Sequence, residues 1–205
     1  MKSKISLEQI VETAKRLFRD HGYENTTLDA IAAELGVTRA ALYYWVRSKE
    51  ALLCEIHESI LDLFIERFEQ VRGAHDEEVT VLAETLRMHA MAVLENLEAV
   101  TSFFQDQRSL PEPNAERIAK KKASYDHALE EVVRAAQAKG TVRADIDPKL
   151  LVRSVVGMGN WLTQWYKPTG QLPASAAADQ IVEICLHGVS GSGGAVPMAG
   201  DADDR

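Results

Sequence analysis

The side chains best suited to chemistry in this sequence lie in the segment GVTRAALYYWVRSKEAL, residues 36–52. The segment combines three consecutive aromatic residues with three bases, and no acid precedes Glu50: these residues are Tyr43, Tyr44, Trp45, Arg39, Arg47 and Lys49. Arginine can hydrogen-bond a phosphate or the edge of guanine, and a tyrosine can donate to phosphate while its ring packs against sugar or a thymine methyl group. The segment is therefore the first candidate for contact with a nucleic acid.

The charge of the chain is distributed so that only its first quarter tolerates a polyanion. The whole sequence carries a net charge of −8, but residues 1–50 hold eight bases and seven acids. The remaining residues hold 15 bases and 24 acids. Because like charges repel, we expect most of the chain to stay away from a nucleic acid and only the N-terminal quarter to approach one.

Two short helices are predicted to present this segment. Thr26 or Thr27 caps the first helix, Gly36 ends it after barely two turns, and Thr38 caps the second. Two short helices joined by a tight glycine turn are typical of a helix-turn-helix, whose second helix enters the major groove of DNA. The hydroxyls and free backbone N–H groups at both caps are suited to bind phosphates.

The second short helix has two different sides. At about 100° per residue, its inner side holds Ala41, Leu42 and Trp45, and its outer side holds Arg39, Ala40, Tyr43 and Tyr44. We expect Trp45 to pack in the core of the small bundle and the outer side chains to meet DNA, with Ala40 small enough to admit base edges. A Tyr-Tyr-Trp run on its own is more often packing than recognition. The paired short helices and the local lack of acids favour recognition here.

The rest of the sequence is predicted to be helical throughout. A connector helix begins after Ser48 and runs to about Gly73, and the helical period resumes at Glu77 with a kink near residues 96–98. Two prolines predict a loop at residues 109–114. Further helices are predicted at about 115–139, 148–166 and 175–187.

These elements divide the chain into three parts. We predict an all-α protein with a helix-turn-helix domain at residues 1–48 and a ligand-binding and dimerisation domain at residues 49–189. Residues 190–205 are rich in glycine and acids, and this composition favours a disordered tail.

Several classes of protein are disfavoured by what the sequence lacks. No run of about 18 apolar residues indicates a membrane span, and the first residues lack the apolar core of a signal peptide. Cys54 and Cys185 are far apart, and the six histidines show no metal-ligand spacing. No GxSxG elbow or phosphate-binding loop occurs. We therefore predict a cytoplasmic protein that is not an enzyme and uses no metal or cofactor.

The N-terminal motifs resemble a known family. The run AKRLFRDHGYENTTLDAIAAELGVTRAALYYWVRSKEALL is similar to the DNA-binding domain of the TetR (tetracycline-repressor-like) family of bacterial regulators. By position, the resemblance implies DNA contacts from Thr27, Thr38, Arg39, Tyr43, Tyr44 and Lys49. The sequence departs from the family pattern at Trp45, where phenylalanine is common, and at Tyr44, where histidine is frequent. Both positions remain aromatic, so we expect the packing to survive.

The resemblance also implies a homodimer bound to double-stranded DNA. Its two recognition helices would enter successive major grooves of a palindromic operator, about 34–36 Å apart. The dimer would be built by the helices at about 148–166 and 175–188, of which the first is apolar on more than one side. Gly157 and Gly159 would then permit close helix packing in the dimer. A core helix in a monomer is the alternative reading.

A ligand pocket is expected between the helices of residues 75–170. Its candidate lining residues are Met88, Met91, Phe103, Phe104, Arg108, Tyr125, Trp161 and Trp165. Ordinary core packing is the alternative for each apolar member of this set. The segments FFQDQRSL and QWYKPTG look similar to segments of TetR-type regulators of fatty-acid and sterol catabolism, which respond to acyl-CoA thioesters. The bases Arg108, Arg117, Lys120, Lys121 and Lys122 could then bind the phosphates of coenzyme A. The last four could instead form a solvated helix face.

The sequence thus predicts a dimeric repressor that a small hydrophobic effector releases from its operator, with acyl-CoA as one effector class among other hydrophobic compounds. A DNA-binding protein that needs no ligand and a thioester-acting enzyme are the alternatives.

Overall fold

The computed structural model describes residues 5–188, and over that range it consists of helices and the loops that connect them, without a β-strand. Its nine α-helices within the described range are α1 (Leu7–His21), α2 (Leu28–Glu34), α3 (Arg39–Trp45), α4 (Lys49–Ala74), α5 (Glu78–Glu95), α6 (Leu97–Gln105), α7 (Glu112–Ala138), α8 (Pro148–Trp165) and α9 (Ala174–His187). A single 3-10 turn at Gln107–Ser109 follows α6. The all-α prediction is confirmed, and the tail predicted at residues 190–205 lies outside the described residues. No helix within residues 5–188 has both the length and the apolarity needed to cross a bilayer.

The caps predicted for the two short helices, α2 and α3, fix the N-terminal bundle. Thr27, and not Thr26, caps α2 by accepting a hydrogen bond from the Ala30 amide at 3.1 Å. Thr26 is instead buried, and its hydroxyl donates to the carbonyls of Leu17 and Gly22. Thr38 caps α3 through the amide of Ala41, and Gly36 takes a φ of +66° in the turn between the two helices. These bonds set α3 at a fixed angle to α2.

The prediction that Trp45 packs in the core is wrong. Leu42 is buried as expected, but Trp45 is 42% exposed and Val46 is buried in its place. At about 100° per residue, Trp45 lies about 60° to one side of Leu42 and Val46 about 40° to the other, so the core covers the side that Leu42 shares with Val46. Trp45 therefore lies on the outer surface, edge to face with Tyr44 at a centroid distance of 5.7 Å.

The C-terminal part is built around α5, which packs against α4, α7, α8 and α9. The predicted kink is a break at Asn96, which separates α5 from α6. The loop predicted through residue 114 is shorter than expected, because α7 begins at Glu112 with Pro113 in its first turn. First-turn residues donate no intrahelical hydrogen bond, so a proline is tolerated there.

Candidate nucleic-acid interface and internal cavity

The outward face of α3 carries an arginine held in a defined position. Arg39 forms an ion pair with Asp29 of α2 at 2.9 Å and donates a hydrogen bond to the Tyr43 hydroxyl at 3.1 Å. Its guanidinium also lies over the Tyr43 ring, 5.2 Å from the centroid. The Tyr43 bond and the charge of Asp29 both raise the pKa of Arg39. This cation is permanently charged and is positioned in advance of any contact.

Two large aromatic side chains extend this face into solvent. Tyr44 is 84% exposed, and Trp45 stands beside it. Exposing rings of this size is unfavourable unless a partner covers them, because each has a large apolar surface. Sequence reasoning missed Trp45 because a helical wheel does not show which residues beside Leu42 the neighbouring helices cover. Ala40, also exposed, leaves the surface between Arg39 and Tyr44 open to a close approach.

Two of the remaining predicted DNA contacts, Thr27 and Lys49, line a cleft beside this face, and Arg39 lines it as well. The third, Thr38, is at the start of α3. The Lys49 ammonium donates to the carbonyls of Tyr23 at 2.8 Å and Glu24 at 3.3 Å, and lies 4.2 Å from the centroid of the Tyr23 ring. Lys49 therefore ties the start of α4 to the end of α1, and its role towards DNA stays a prediction.

A small cavity lies inside the C-terminal helices, between α4, α5, α6, α7 and α8. Its volume is about 30 Å³, and its wall is largely apolar. The lining residues are Ile60, Leu61, Phe64, His89, Val100, Phe103, Phe104, Lys122, Tyr125, Asp126, Val156 and Asn160. A cavity of this size holds a water molecule, so a larger occupant requires its helices to move apart.

The polar groups of this cavity form a chain centred on His89. The Nε2 atom of His89 is 3.1 Å from the amide oxygen of Asn160, and the Tyr125 hydroxyl is 3.5 Å from Nδ1. The ring of Phe64 stacks on His89 with a centroid distance of 4.6 Å. Burial lowers the pKa of His89 to about 4, against a smaller opposing effect of Asn160. His89 is therefore neutral at neutral pH, and Nε2 carries the proton it donates to Asn160.

The structure brings together three of the eight residues predicted to line the pocket: Phe103, Phe104 and Tyr125. Met88 and Met91 are partly buried on α5 and pack against the core. Arg108 is exposed on the 3-10 turn, while Trp161 and Trp165 are exposed on α8. Sequence reasoning missed His89 and Asn160, since a single histidine or asparagine in a helical stretch gives no signal without its spatial partners.

The basic residues of α7 considered for phosphate binding are paired with acids of the same chain. Arg117 and Lys121 form ion pairs with Glu58 and Asp62 of α4, at 2.6 and 2.5 Å. Lys120 and Lys122 pair along α7 with Glu116 and Asp126. Of these four, only Lys122 also lines the cavity. Two of the four bases thus hold α7 against α4.

Gly159 has a role within one chain that differs from the predicted role in a dimer. A Cβ atom there would lie 2.9 Å from Cδ2 of His89, whereas a Cβ atom at Gly157 would meet nothing within 4 Å. Gly159 is buried and Gly157 is exposed. The absence of a side chain at 159 is what lets α8 approach α5 and seat the His89 ring.

Gly159→Ala is therefore expected to lower the free energy of unfolding by about 1–3 kcal/mol, because the added methyl group overpacks the His89 site. Gly73→Ala is the matched control, because Gly73 is in α4, away from α8, and a Cβ atom there also meets nothing within 4 Å. It should raise the free energy of unfolding by about 0.5–1 kcal/mol, as alanine favours the helix. Urea denaturation followed by circular dichroism measures both. Equal shifts in the two variants would contradict the packing assigned to Gly159.

An apolar surface on α8 and α9 is left uncovered in the single chain. It consists of Leu150, Trp161, Trp165 and Ile184, all exposed. Trp161 follows Leu150 by three helical turns and precedes Trp165 by one, so these three share one face of α8. Ile184 lies on the neighbouring α9, where Cys185 contacts Met158 of α8 at 3.6 Å between sulfur atoms. Exposed apolar patches of this kind mark contact surfaces.

Comparison with known proteins agrees with both halves of the fold. Residues 10–56 match the family model described as "Bacterial regulatory proteins, tetR family", and residues 57–189 match "Tetracyclin repressor-like, C-terminal domain". The transcriptional repressor KstR2 of Mycolicibacterium smegmatis is 26% identical over 190 residues, covering 91% of this chain and 92% of that protein.

Solved structures show the same architecture. The TetR family regulator PfmR of Thermus thermophilus has a TM-score of 0.81 and 29% identity, covering 88% of this chain and 98% of that chain. AibR, solved in complex with isovaleryl coenzyme A and operator DNA, has a TM-score of 0.80 and 31% identity, covering 88% of this chain and 97% of that chain. The helix-turn-helix domain and the helical C-terminal domain are thus confirmed. The protein belongs to the TetR family and is a DNA-binding transcriptional regulator, not an enzyme.

Proposed function

We propose that the protein is a homodimeric repressor that binds a palindromic operator and is released when a small hydrophobic effector enters the cavity around His89. The observation that carries this proposal is the outward face of α3. It combines the pre-positioned cation of Arg39 with the exposed rings of Tyr44 and Trp45. Arginine reads guanine edges and aromatic rings pack on sugars and thymine methyl groups, so this face suits the major groove.

Helix α6 connects the cavity to the DNA-binding domain. Phe103 and Phe104 of α6 line the cavity, and Phe103 packs on the buried His57 ring of α4 at a centroid distance of 4.7 Å. On its other side, α6 carries Glu98, which forms an ion pair with Arg19 of α1. An occupant that moves α6 therefore changes contacts with both α1 and α4. Effector binding can in this way favour a dimer whose recognition helices no longer fit both half-sites.

For the effector we propose an acyl-CoA thioester. The cavity wall is apolar, as an acyl chain requires, and Lys122 with Asp126 provides charged groups at its edge. AibR, which shares this fold, was solved with isovaleryl coenzyme A. The cavity of about 30 Å³ is too small for such a chain in its present form. Binding must therefore separate the surrounding helices, which supplies the movement that release from DNA needs.

The uncovered apolar face of α8 and α9 is proposed as the dimer interface. Two copies that join these faces bury Trp161 and Trp165 against each other's helices, and the exposed Gly157 lies on the same face of α8. A two-fold axis between the C-terminal domains leaves both α3 helices free to reach DNA.

The domain boundary at residues 48 and 49 remains a prediction. The two matched family regions meet at residues 56 and 57, inside α4.

The proposal predicts DNA binding that depends steeply on salt and on effector. Fluorescence anisotropy with palindromic DNA from the promoter region of the protein's own gene should show affinity that falls about 1,000-fold or more between about 50 and 200 mM salt, as expected for six or more phosphate contacts. Acyl-CoA thioesters from isovaleryl to dodecanoyl should then release the DNA at fixed salt. Failure to find salt-sensitive binding to any palindrome would refute the repressor. Binding that no thioester or other hydrophobic compound reverses would favour a regulator without a ligand.

A further inference from the structure

A second cavity lies directly behind the first. It has a volume of about 20 Å³ and is enclosed by α5, α7 and α8. Its wall is formed by Leu82, Thr85, Leu86, His89, Leu129, Val133, Leu151, Val152, Val155 and Val156. His89 and Val156 line both cavities. The two spaces are therefore neighbours, and the His89 side chain stands between them.

The His89 ring is held in place by contacts that a ligand can replace. Its hydrogen bond to Asn160 is 3.1 Å long, and Asn160 lines the first cavity, where a polar group of the effector can take this bond over. The hydrogen bond with the Tyr125 hydroxyl is longer, at 3.5 Å, and Phe64 contacts the ring only by stacking. The ring is uncharged at neutral pH, so moving it transfers no net charge through the apolar interior. The His89 ring already fills the space next to Gly159, so it cannot move further towards α8. It can move only along the line that joins the two cavities.

A threonine in the wall of the second cavity has an unsatisfied hydroxyl. Thr85 is 2% exposed, and its Oγ1 atom has no hydrogen-bond partner within residues 5–188. A threonine in a helix commonly bonds to a carbonyl of the preceding turn, but this one does not. Buried hydroxyls nearly always have a partner, either from the protein or from an ordered molecule. The other residues that line the second cavity, apart from His89, are apolar, and the Thr85 oxygen becomes accessible only when this wall opens.

We propose that the two cavities are halves of one effector site, that His89 is a movable partition between them, and that the Thr85 hydroxyl binds an oxygen atom on the distal part of the effector. The effector class that follows is an acyl compound with a hydroxyl or keto group towards the end of its apolar chain. This inference rests on the proposed function, because it assumes that the effector enters through the first cavity. The second cavity would select effectors that carry an oxygen atom far from the thioester, which the first cavity alone does not do.

The test compares parent acyl-CoAs, from hexanoyl to dodecanoyl, with the same chains bearing a terminal hydroxyl. Isothermal titration calorimetry should show that at least one hydroxylated chain binds the wild-type protein about tenfold more tightly than its parent, the gain expected for one new hydrogen bond. Thr85→Val keeps the shape and removes the hydroxyl, so the hydroxylated chain and its parent should then bind with equal affinity. Thr141→Val is the matched control, because the Thr141 hydroxyl bonds to the Ala136 carbonyl at 3.0 Å and lies outside both cavities.

The possible failures can be told apart. If parent chains bind and release DNA but no hydroxylated chain is preferred, the role of Thr85 is refuted and the proposed function stands. If Thr85→Val raises thermal stability without changing any ligand affinity, the hydroxyl is only an unsatisfied group of the core and the inference is wrong. If no thioester of either kind binds, the acyl-CoA effector and the role of Thr85 fail together. Nitrogen NMR of the His89 ring must change when a preferred chain binds; an unchanged signal rules out the partition.

Discussion

Arg39→Ala is expected to lower the affinity of the dimer for its operator by about 100-fold or more. A bidentate arginine contact to a base contributes about 1–3 kcal/mol of discrimination, and a palindrome contains this contact twice. Removing Arg39 also leaves the Asp29 carboxylate unpaired beside the phosphates. Its repulsion should weaken binding further, by about 0–1 kcal/mol per subunit, a small amount because exposed charges interact weakly. Together these losses amount to about 2–8 kcal/mol, and the middle of this range exceeds the change of about 2.7 kcal/mol that a 100-fold loss requires. Fluorescence anisotropy with a fixed operator at constant salt measures the effect.

The control for this variant is Arg143→Ala. Arg143 is also an exposed arginine paired with an aspartate, Asp145, at 2.6 Å, but it lies in the loop before α8, away from the N-terminal bundle. Its removal should leave operator affinity within about twofold, since distant surface charges are largely screened. Both variants should unfold like the wild type because neither side chain is buried. Equal affinities for the two variants would show that α3 does not present Arg39 to DNA.

Trp161→Glu is expected to convert the dimer into monomers and thereby to abolish tight operator binding. Trp161 is 64% exposed in the single chain, and the proposed interface would bury it. Buried tryptophans commonly dominate interface energies, with about 2 kcal/mol or more lost on truncation, and an unpaired carboxylate adds a desolvation cost. The dimer dissociation constant should rise by about 100-fold or more. Analytical ultracentrifugation measures it directly, and operator affinity should fall in parallel because separate monomers lose the coupling of two half-sites.

Two further variants identify the cause of such a change. Trp161→Phe keeps an aromatic side chain and should remain dimeric, while Lys120→Glu adds negative charge on the exposed face of α7 and should have no effect on assembly. The sequence also suggested that Trp161 lines the ligand pocket. If Trp161→Glu stays dimeric but loses effector binding, that earlier hypothesis is right and the interface lies elsewhere.

Local features of the fold could be predicted from the sequence because they depend on neighbouring residues. Thr27, Thr38 and Ser48 each cap a helix at the predicted place, and each accepts a hydrogen bond from the amide three residues further on. The short helices and their glycine turn followed in the same way. Each of these bonds spans three or four residues, so the spacing along the chain already determines the geometry.

The prediction for Trp45 relied on a helical wheel alone and was less secure. At about 100° per residue, Trp45 lies about 60° to one side of the buried Leu42 and Val46 about 40° to the other. Only the packing of α3 against its neighbours decides which of these two sides is covered, and it covers Val46. Trp45, left exposed, then became part of the surface proposed to bind DNA.

The arrangement around His89 could only be decided by the tertiary structure. Asn160 lies 71 positions from His89 along the chain, and Tyr125 lies 36 positions from it. Their contacts depend on how α5, α7 and α8 pack, and on Gly159 leaving room for the ring. The sequence by itself determined the family, the helical class and the DNA-binding segment, because those follow from motifs with short-range geometry. The cavities, the orphaned hydroxyl of Thr85 and the exposed face of α8 arise from long-range packing, which determines which side of each helix is covered.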